Sequence, residues 1–414
     1  MANISEKFYL GRQPILDRNQ EIVGYELLFR SAGRDFAEFD SYSQASASVI
    51  TNALAAFGIQ EVLGGKFGFI NVHLSLLLSE MLELLPIGQS VLELLEIIKI
   101  DSQVIERCRE LKRFGFLLAL DDHEFSLDNA AIYDIVDIVK IDILQTEAES
   151  LPGIIAQLRK WPVRILAEKV ETVEQFNACY RMGFDLFQGY FFERPVILNK
   201  KRIDVSGMAM LKLLQQLTMD AGIDEIEQTF KENPSLSYNL LRLVNSVALG
   251  MIEKIKTLRH AITMLGTEHI RRWIQLSLFA GNDSLGINNP LLEMAAVRGR
   301  LMELLVLQKD RQPSEFSEAA FMTGILSLLD VLFETEMEEI VISLNLSDEV
   351  AAALLRREGN LGQLLLLTEK LEKTDFTAVQ DILEQNDISF EQLLTAQLDA
   401  FNWRNSIVQD ERRS

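Results

Sequence analysis

Glu26, Asn71, Glu93, the pair Asp121-Asp122, Lys140 with Asp142, Glu168 and Gln188 each stand at or near the point where a short apolar run of the chain stops. Taken singly, an acid in such a place is as well explained as a solvated loop residue or a helix N-cap. Their number is what asks for chemistry. Carboxylates gathered without a cation repel one another and lose hydration, so a fold that brings these residues together makes sense as a holder of hard divalent ions. Donors that are all oxygen point to Mg²⁺ or Mn²⁺ rather than zinc. Adjacent carboxylates such as Asp121-Asp122 can bridge two such ions, one side chain each way.

The elements that must position these residues are legible as an alternation of strand-like runs, polar turns and amphipathic segments over the first two hundred residues. Strands are expected at 8–16, 21–29, 67–72, 91–95, 116–120, 135–141, 164–169 and 186–192, with helices at 42–57, 102–114, 148–160 and 172–182. Residues 17–20 are few enough for a hairpin, which makes the first two strands antiparallel. The fold class is therefore α/β followed by all-α: an N-terminal (β/α)8-type barrel with an antiparallel first strand, in which every parallel strand delivers its C-terminal end to one mouth. From about Ile203 the apolar spacing turns helical, as in Met210, Leu213, Leu214 and Leu217, and we place the boundary so that residues 1–200 form the barrel and 201–414 a helical domain.

Composition sets the outer limits. The 414 residues carry 40 basic and 61 acidic side chains, a formal net charge of −21, which disfavours a nucleic acid polymer as partner. The hydrophobic share of 48% is that of a chain that folds throughout. Cys108 and Cys179 form no CxxC pair and no disulfide framework. The N-terminus has no signal-peptide pattern, and the apolar run 319–329 is too short to span a bilayer, so no membrane association and a cytoplasmic location are expected.

The residues that carry the chemistry resemble the EAL-type cyclic di-GMP phosphodiesterases, and more narrowly the proteins that join an EAL domain to an HDOD domain. The resemblance runs through Gln13-Pro14-Ile15, Gly24-Tyr25-Glu26-Leu27-Leu28-Phe29-Arg30, Ile70-Asn71, Glu93-Leu94-Leu95-Glu96, Asp121-Asp122, Lys140-Ile141-Asp142, Ala167-Glu168-Lys169-Val170-Glu171 and Gln188-Gly189-Tyr190-Phe191-Phe192. It implies a two-metal site, Mg²⁺ or Mn²⁺, that hydrolyses cyclic di-GMP to linear pGpG. Glu26, Asn71, Glu93 and Asp121 look like ligands of the first ion, with Asp121 and Asp122 reaching the second. Lys140 and Glu168 look like the groups that orient and deprotonate the attacking water, with Gln188 nearby. Gln13 and Arg30 look like substrate contacts, and Glu96 like the residue that holds the loop after the aspartates. Three places depart from the family pattern: Leu27 replaces Ala in the signature triplet, Asp121-Asp122-His123-Glu124-Phe125-Ser126 lacks both glycines of that loop, and Lys169 stands where the family has Gly.

The second half resembles HDOD through Asn233-Pro234-Ser235-Leu236, residues 240–246 including Asn245-Ser246, and residues 260–266 beginning at His260. It lacks the His-Asp dipeptide of the related phosphohydrolases, and the resemblance implies an interaction module for a protein partner. His260 and His269 are too few for a metal centre and read as structural. A homodimer is compatible with the family's habit. Two functions stand side by side: a metal-dependent phosphodiesterase slowed by its altered loop, and a non-catalytic cyclic di-GMP sensor or scaffold acting through the HDOD half.

Overall fold

The structure, a computed structural model, describes residues 8–31, 62–123, 125–190, 205–233, 236–237, 240, 258–280, 290–310, 312, 314–333, 335–344 and 346–413. The helix expected at 42–57 and the pair Asn245-Ser246 lie outside the described residues. Strands β1 (Phe8–Asp17), β2 (Ile22–Ser31), β3 (Phe67–Val72), β4 (Ser90–Leu94), β5 (Leu117–Leu120), β6 (Ile138–Asp142), β7 (Arg164–Glu168) and β8 (Leu186–Gln188) close into a barrel in sequence order. β1 is antiparallel to both neighbours, β2 and β8, and β2 to β8 run parallel. The α/β barrel with an antiparallel first strand is thus the observed architecture.

Local chemistry explains the boundaries. The Asp17 carboxylate accepts from the backbone N–H of Asn19 at 2.8 Å and of Glu21 at 2.9 Å, an Asx turn that reverses the chain between β1 and β2. The helix Ser102–Phe114 starts where Asp101 accepts from the N–H groups of Gln103 and Val104, and stops at Gly115, whose φ of 100° suits glycine alone. Thr172 and Gln175 form a capping box at the head of Val173–Met182. Two strands are clearly shorter than expected: β8 ends at Gln188, with Gly189 and Tyr190 in a bend and 191–192 outside the described residues, and β6 begins at Ile138, not at residue 135. Ile135 and Val136 instead close a turn on the Ile132 carbonyl, and the Asp137 carboxylate accepts from Leu118 N and Lys112 Nζ, which spends these residues on joining β6 to β5.

Two compact units emerge, one of residues 1–194 with 369–402 and the other of 195–368 with 403–414. Residues 369–402, which the sequence assigned to the helical half, therefore group with the barrel. There Tyr9 of β1 stacks on Phe376 and meets Phe390 edge-on, Arg12 lies between the rings of Tyr25 and Phe401, and Gln397 donates to the Leu10 carbonyl at 2.9 Å.

Every element after β8 among the described residues is helical, from Val205–Thr218 to Phe390–Arg413. Within the second unit, Pro290–Asp310 and Glu315–Leu326 approach so closely at Gly299 and Gly324 that a Cβ on Gly324 would lie 2.6 Å from the Gly299 Cα. The apolar stretch here is longer than the sequence suggested. Glu315–Phe333 is long and apolar enough to cross a membrane, and 56% of its most apolar window is buried inside the protein.

Candidate active site

One structural rule places the site. The barrel interior has an apolar floor of Ile15, Phe69, Val91, Ala119, Ile138, Leu166 and Leu186, all buried. Side chains of a strand alternate faces, so the residue two positions on points inward again, one layer nearer the C-terminal rim. From Phe69 that residue is Asn71, from Val91 Glu93, from Ala119 Asp121, from Ile138 Lys140, from Leu166 Glu168 and from Leu186 Gln188. β1 runs the other way, and its Gln13 lies two residues before Ile15, paired in register with Glu26. Under Glu26 the corresponding residue is Gly24, where a Cβ would meet the Phe69 ring at 2.8 Å.

Lys140 is the centre of this layer. Its Nζ lies 2.7 Å from Asp121 Oδ1, 2.8 Å from Glu93 Oε1, 2.8 Å from Glu168 Oε1 and 3.4 Å from Glu26 Oε2, with no solvent exposure. Glu26 Oε1 accepts from Asn71 Nδ2 at 2.9 Å and Oε2 from Gln188 Nε2 at 2.6 Å. Gln188 Nε2 also donates to Gln13 Oε1 at 2.8 Å. Glu26, Asn71, Glu93, Asp121, Lys140, Glu168, Gln188 and Gln13 are thereby brought together. Asp122 lies beside them, turned by a left-handed φ of 41°. Arg30 is the last residue but one of β2, and its side chain is outside the described residues. Glu96 is exposed in the turn after β4, with no side-chain hydrogen bond or ion pair among the described residues.

One ammonium does not balance four carboxylates, and the cluster responds by holding protons. Burial pushes the Glu93 carboxyl well above its ordinary range, against the pull of Lys140 and with added repulsion from Glu26 and Asp121. Burial also raises Asp121 and takes Glu168 up to about 8. At Glu26 the cost of burial is outweighed by the charge of Lys140 and the hydrogen bonds from Gln188 and Asn71, which hold this carboxyl below its usual value. At Lys140 burial opposes the charged form, and the surrounding carboxylates overcome it.

The loop after the aspartates is anchored from the barrel side. His123 N donates to the Lys140 carbonyl at 3.3 Å, its Nε2 lies 2.7 Å from the Tyr133 hydroxyl, and Phe125 stacks on the Tyr133 ring. Burial pushes His123 down to about 4, so the imidazole is neutral at pH 7. Lys169, the residue in place of glycine, takes a φ of 57° and donates from Nζ to Asp142 Oδ2. Asp142 Oδ1 in turn accepts from Leu144 N and Gln145 N. The link between Lys169, Asp142 and Asp122 was not foreseen from the sequence; the signal for it was the lysine at a glycine position facing two aspartates.

Among the described residues no three acidic, histidine or cysteine side chains form a ready cation cage, because the carboxylates turn towards Lys140. The donor set nonetheless fits a hard divalent ion. Asn71 Oδ1, both Glu93 carboxylate oxygens, Asp122 Oδ1, Glu168 Oε2 and Gln188 Oε1 are buried and accept no hydrogen bond, an arrangement that costs stability unless a cation or water supplies the missing partner. Glu93 meets Lys140 as an ion pair only.

Comparison with known proteins agrees with this architecture. The EAL domain model matches residues 72–195 and the HDOD domain model residues 208–332. The uncharacterized protein YuxH of Bacillus subtilis is 31% identical over 413 residues, 97% of this chain and 99% of that protein. The cyclic di-GMP phosphodiesterase CdgJ of Vibrio cholerae is 31% identical over 405 residues, 96% of this chain and 93% of that one. Among solved structures, the Bacillus subtilis YkuI protein, with an EAL domain, in complex with substrate c-di-GMP and calcium, covers 62% of this chain and 74% of its own at 22% identity and a TM-score of 0.39. With two relatives similar over almost their full length and both domain models matched in order, the chain belongs to the family of proteins in which an EAL domain is followed by an HDOD domain.

Proposed function

We propose that the barrel hydrolyses one phosphodiester bond of cyclic di-GMP to give linear pGpG, using Mg²⁺ or Mn²⁺. The observation that carries this is the ring of buried oxygen donors at one barrel rim, several without a hydrogen-bond partner, in a chain similar over its length to a cyclic di-GMP phosphodiesterase. Glu26, Asn71, Glu93 and Asp121 would hold an ion, which when bound supplies charge to offset the phosphodiester and lowers the pKa of water. Gln188, by donating to both Gln13 and Glu26, fixes its amide so that Oε1 is left free in the site. Lys140 holds Glu168 by Oε1, which leaves the unpartnered Oε2 as the atom placed to take a proton from water. Gln13 and Arg30 are assigned to the substrate, and Glu96 to the loop after the aspartates. The HDOD half would pass the state of the barrel to a protein partner, in the cytoplasm, with a homodimer as a compatible assembly.

A second reading, a cyclic di-GMP sensor without turnover, is favoured by the grip of Lys140 on all four carboxylates and by the anchoring of the His123 loop on Tyr133. Incubating the full chain with cyclic di-GMP and Mg²⁺ or Mn²⁺, then chromatographing for pGpG, separates the two. Product that disappears in Glu26→Ala supports the phosphodiesterase. Nucleotide binding in Ca²⁺ with no product in either activating ion supports the sensor, and no binding at all contradicts both.

A further inference from the structure

Asp121 and Asp122 are neighbours in sequence but face different cations. Asp121 Oδ1 points to Lys140 at 2.7 Å, whereas Asp122 Oδ2 lies 3.8 Å from the Nζ of Lys169. Lys169 reaches this place with a left-handed backbone, φ 57°, a conformation strained for a residue with a Cβ. The next residue is pinned: Val170 N donates to the Gln188 carbonyl at 3.0 Å, and Gly189 packs so tightly on Val170 that a Cβ there would lie 2.1 Å from the Val170 oxygen. The ammonium is held at its far end as well, by its hydrogen bond to Asp142, whose other oxygen is fixed by two backbone N–H groups. A positive charge is thus built in beside Asp122, the carboxylate that would hold a second divalent ion in a two-metal site.

We propose, on the footing of the metal-dependent function above, that Lys169 is a tethered cation standing in for the second divalent ion, so that the chain holds one ion tightly, among Glu26, Asn71, Glu93 and Asp121, and not two. The charges are consistent with this. One ammonium already offsets part of the charge of Asp122 and Asp142, and a divalent ion entering beside it meets like-charge repulsion, screened by water least on the side of the buried Asp142. Asp122 and Asp142 then serve Lys169.

The test is Mn²⁺ binding to the full chain, with free Mn²⁺ read by its electron paramagnetic resonance signal. Wild type is expected to take one Mn²⁺ per chain, with any second ion bound at least tenfold more weakly. Lys169→Gly removes both the charge and the left-handed strain, and Lys169→Met removes the charge while keeping the length. Both variants are expected to take two ions and to show the spectrum of a spin-coupled pair, which a merely structural lysine would not produce. Two ions in wild type with equal affinity, or a single ion in wild type and both variants, overturns the assignment to Lys169 and leaves the metal-dependent function standing. No uptake by any of the three proteins overturns the metal-dependent function, and the role of Lys169 with it.

Discussion

Replacing Lys140 by methionine keeps the length of the side chain and removes the ammonium that the four surrounding carboxylates share. Each of the three pairs at 2.7–2.8 Å is worth about 6 kcal/mol of gross attraction at an effective dielectric of about 20. Much of that is offset by the desolvation of the ammonium and by proton uptake at Glu93, Asp121 and Glu168, so the net cost is that of breaking a buried ion pair, about 3–5 kcal/mol at pH 8. The cost should shrink towards pH 5 as Glu168 takes up its proton, while Glu26 stays ionised. A divalent ion should restore what the ammonium supplied, and in the variant it does not have to displace Lys140. Urea denaturation of the barrel unit, followed by circular dichroism with and without Mn²⁺ at about 100 times its Kd, should therefore show about 2.7 kcal/mol of protection in the variant and less in wild type at the same concentration. A Lys140→Met protein within about 0.5 kcal/mol of wild type, or one that Mn²⁺ protects less than wild type, would refute the idea that lysine and metal compete for one set of oxygens.

The metal-free protein should lose stability as pH rises. Glu168 titrates at about 8 in the fold against 4.5 for the ordinary side chain, so between these values the folded state binds more protons than the unfolded chain; thermal unfolding in EDTA should show a decline between pH 5 and pH 8, of about 1–3 kcal/mol, that saturating Mn²⁺ reduces. Gly189→Ala combines a φ of 144° with a Cβ 2.1 Å from the Val170 carbonyl oxygen, and should cost about 3 kcal/mol or more by calorimetry while dislodging the adjacent Gln188. A fragment ending at residue 200 leaves Tyr9 and Arg12 without Phe376, Phe390 and Phe401, and should expose apolar surface to a dye such as ANS. Extending the chain to include 369–402 should abolish that signal, and a dark, monomeric short fragment would count against the grouping of those residues with the barrel.

Much of the barrel could be read from the sequence because its strands announce themselves twice, by an apolar run and by the polar residue that ends it. Phe69 to Asn71, Val91 to Glu93, Ala119 to Asp121, Ile138 to Lys140, Leu166 to Glu168 and Leu186 to Gln188 all repeat one inward step, which is the period-two geometry of a strand. What escaped was tertiary. The apolar run 135–141 looked like strand throughout, yet its first residues are drawn into a turn on Ile132, a contact that strand propensity does not encode. That Lys140 would gather four carboxylates follows only from barrel closure, since its partners come from β2, β4, the exit of β5 and β7. Lys169 was visible as a lysine in a glycine position, but its reach to Asp122 and Asp142 depends on a left-handed backbone that the pinned Val170 sustains. The return of residues 369–402 to the barrel had no local signal at all, because amphipathic helices read alike whichever surface they cover.

Crystals of the full chain grown with Mn²⁺ and cyclic di-GMP, with anomalous scattering recorded at the manganese edge, offer the most direct test of a cation site at the barrel rim. The expected result is a peak bounded by oxygens of Glu26, Asn71, Glu93 and Asp121, with the Lys140 ammonium withdrawn from at least some of its present partners. Density showing Lys140 still in contact with all four carboxylates at millimolar Mn²⁺, and no anomalous peak at the rim, would contradict it.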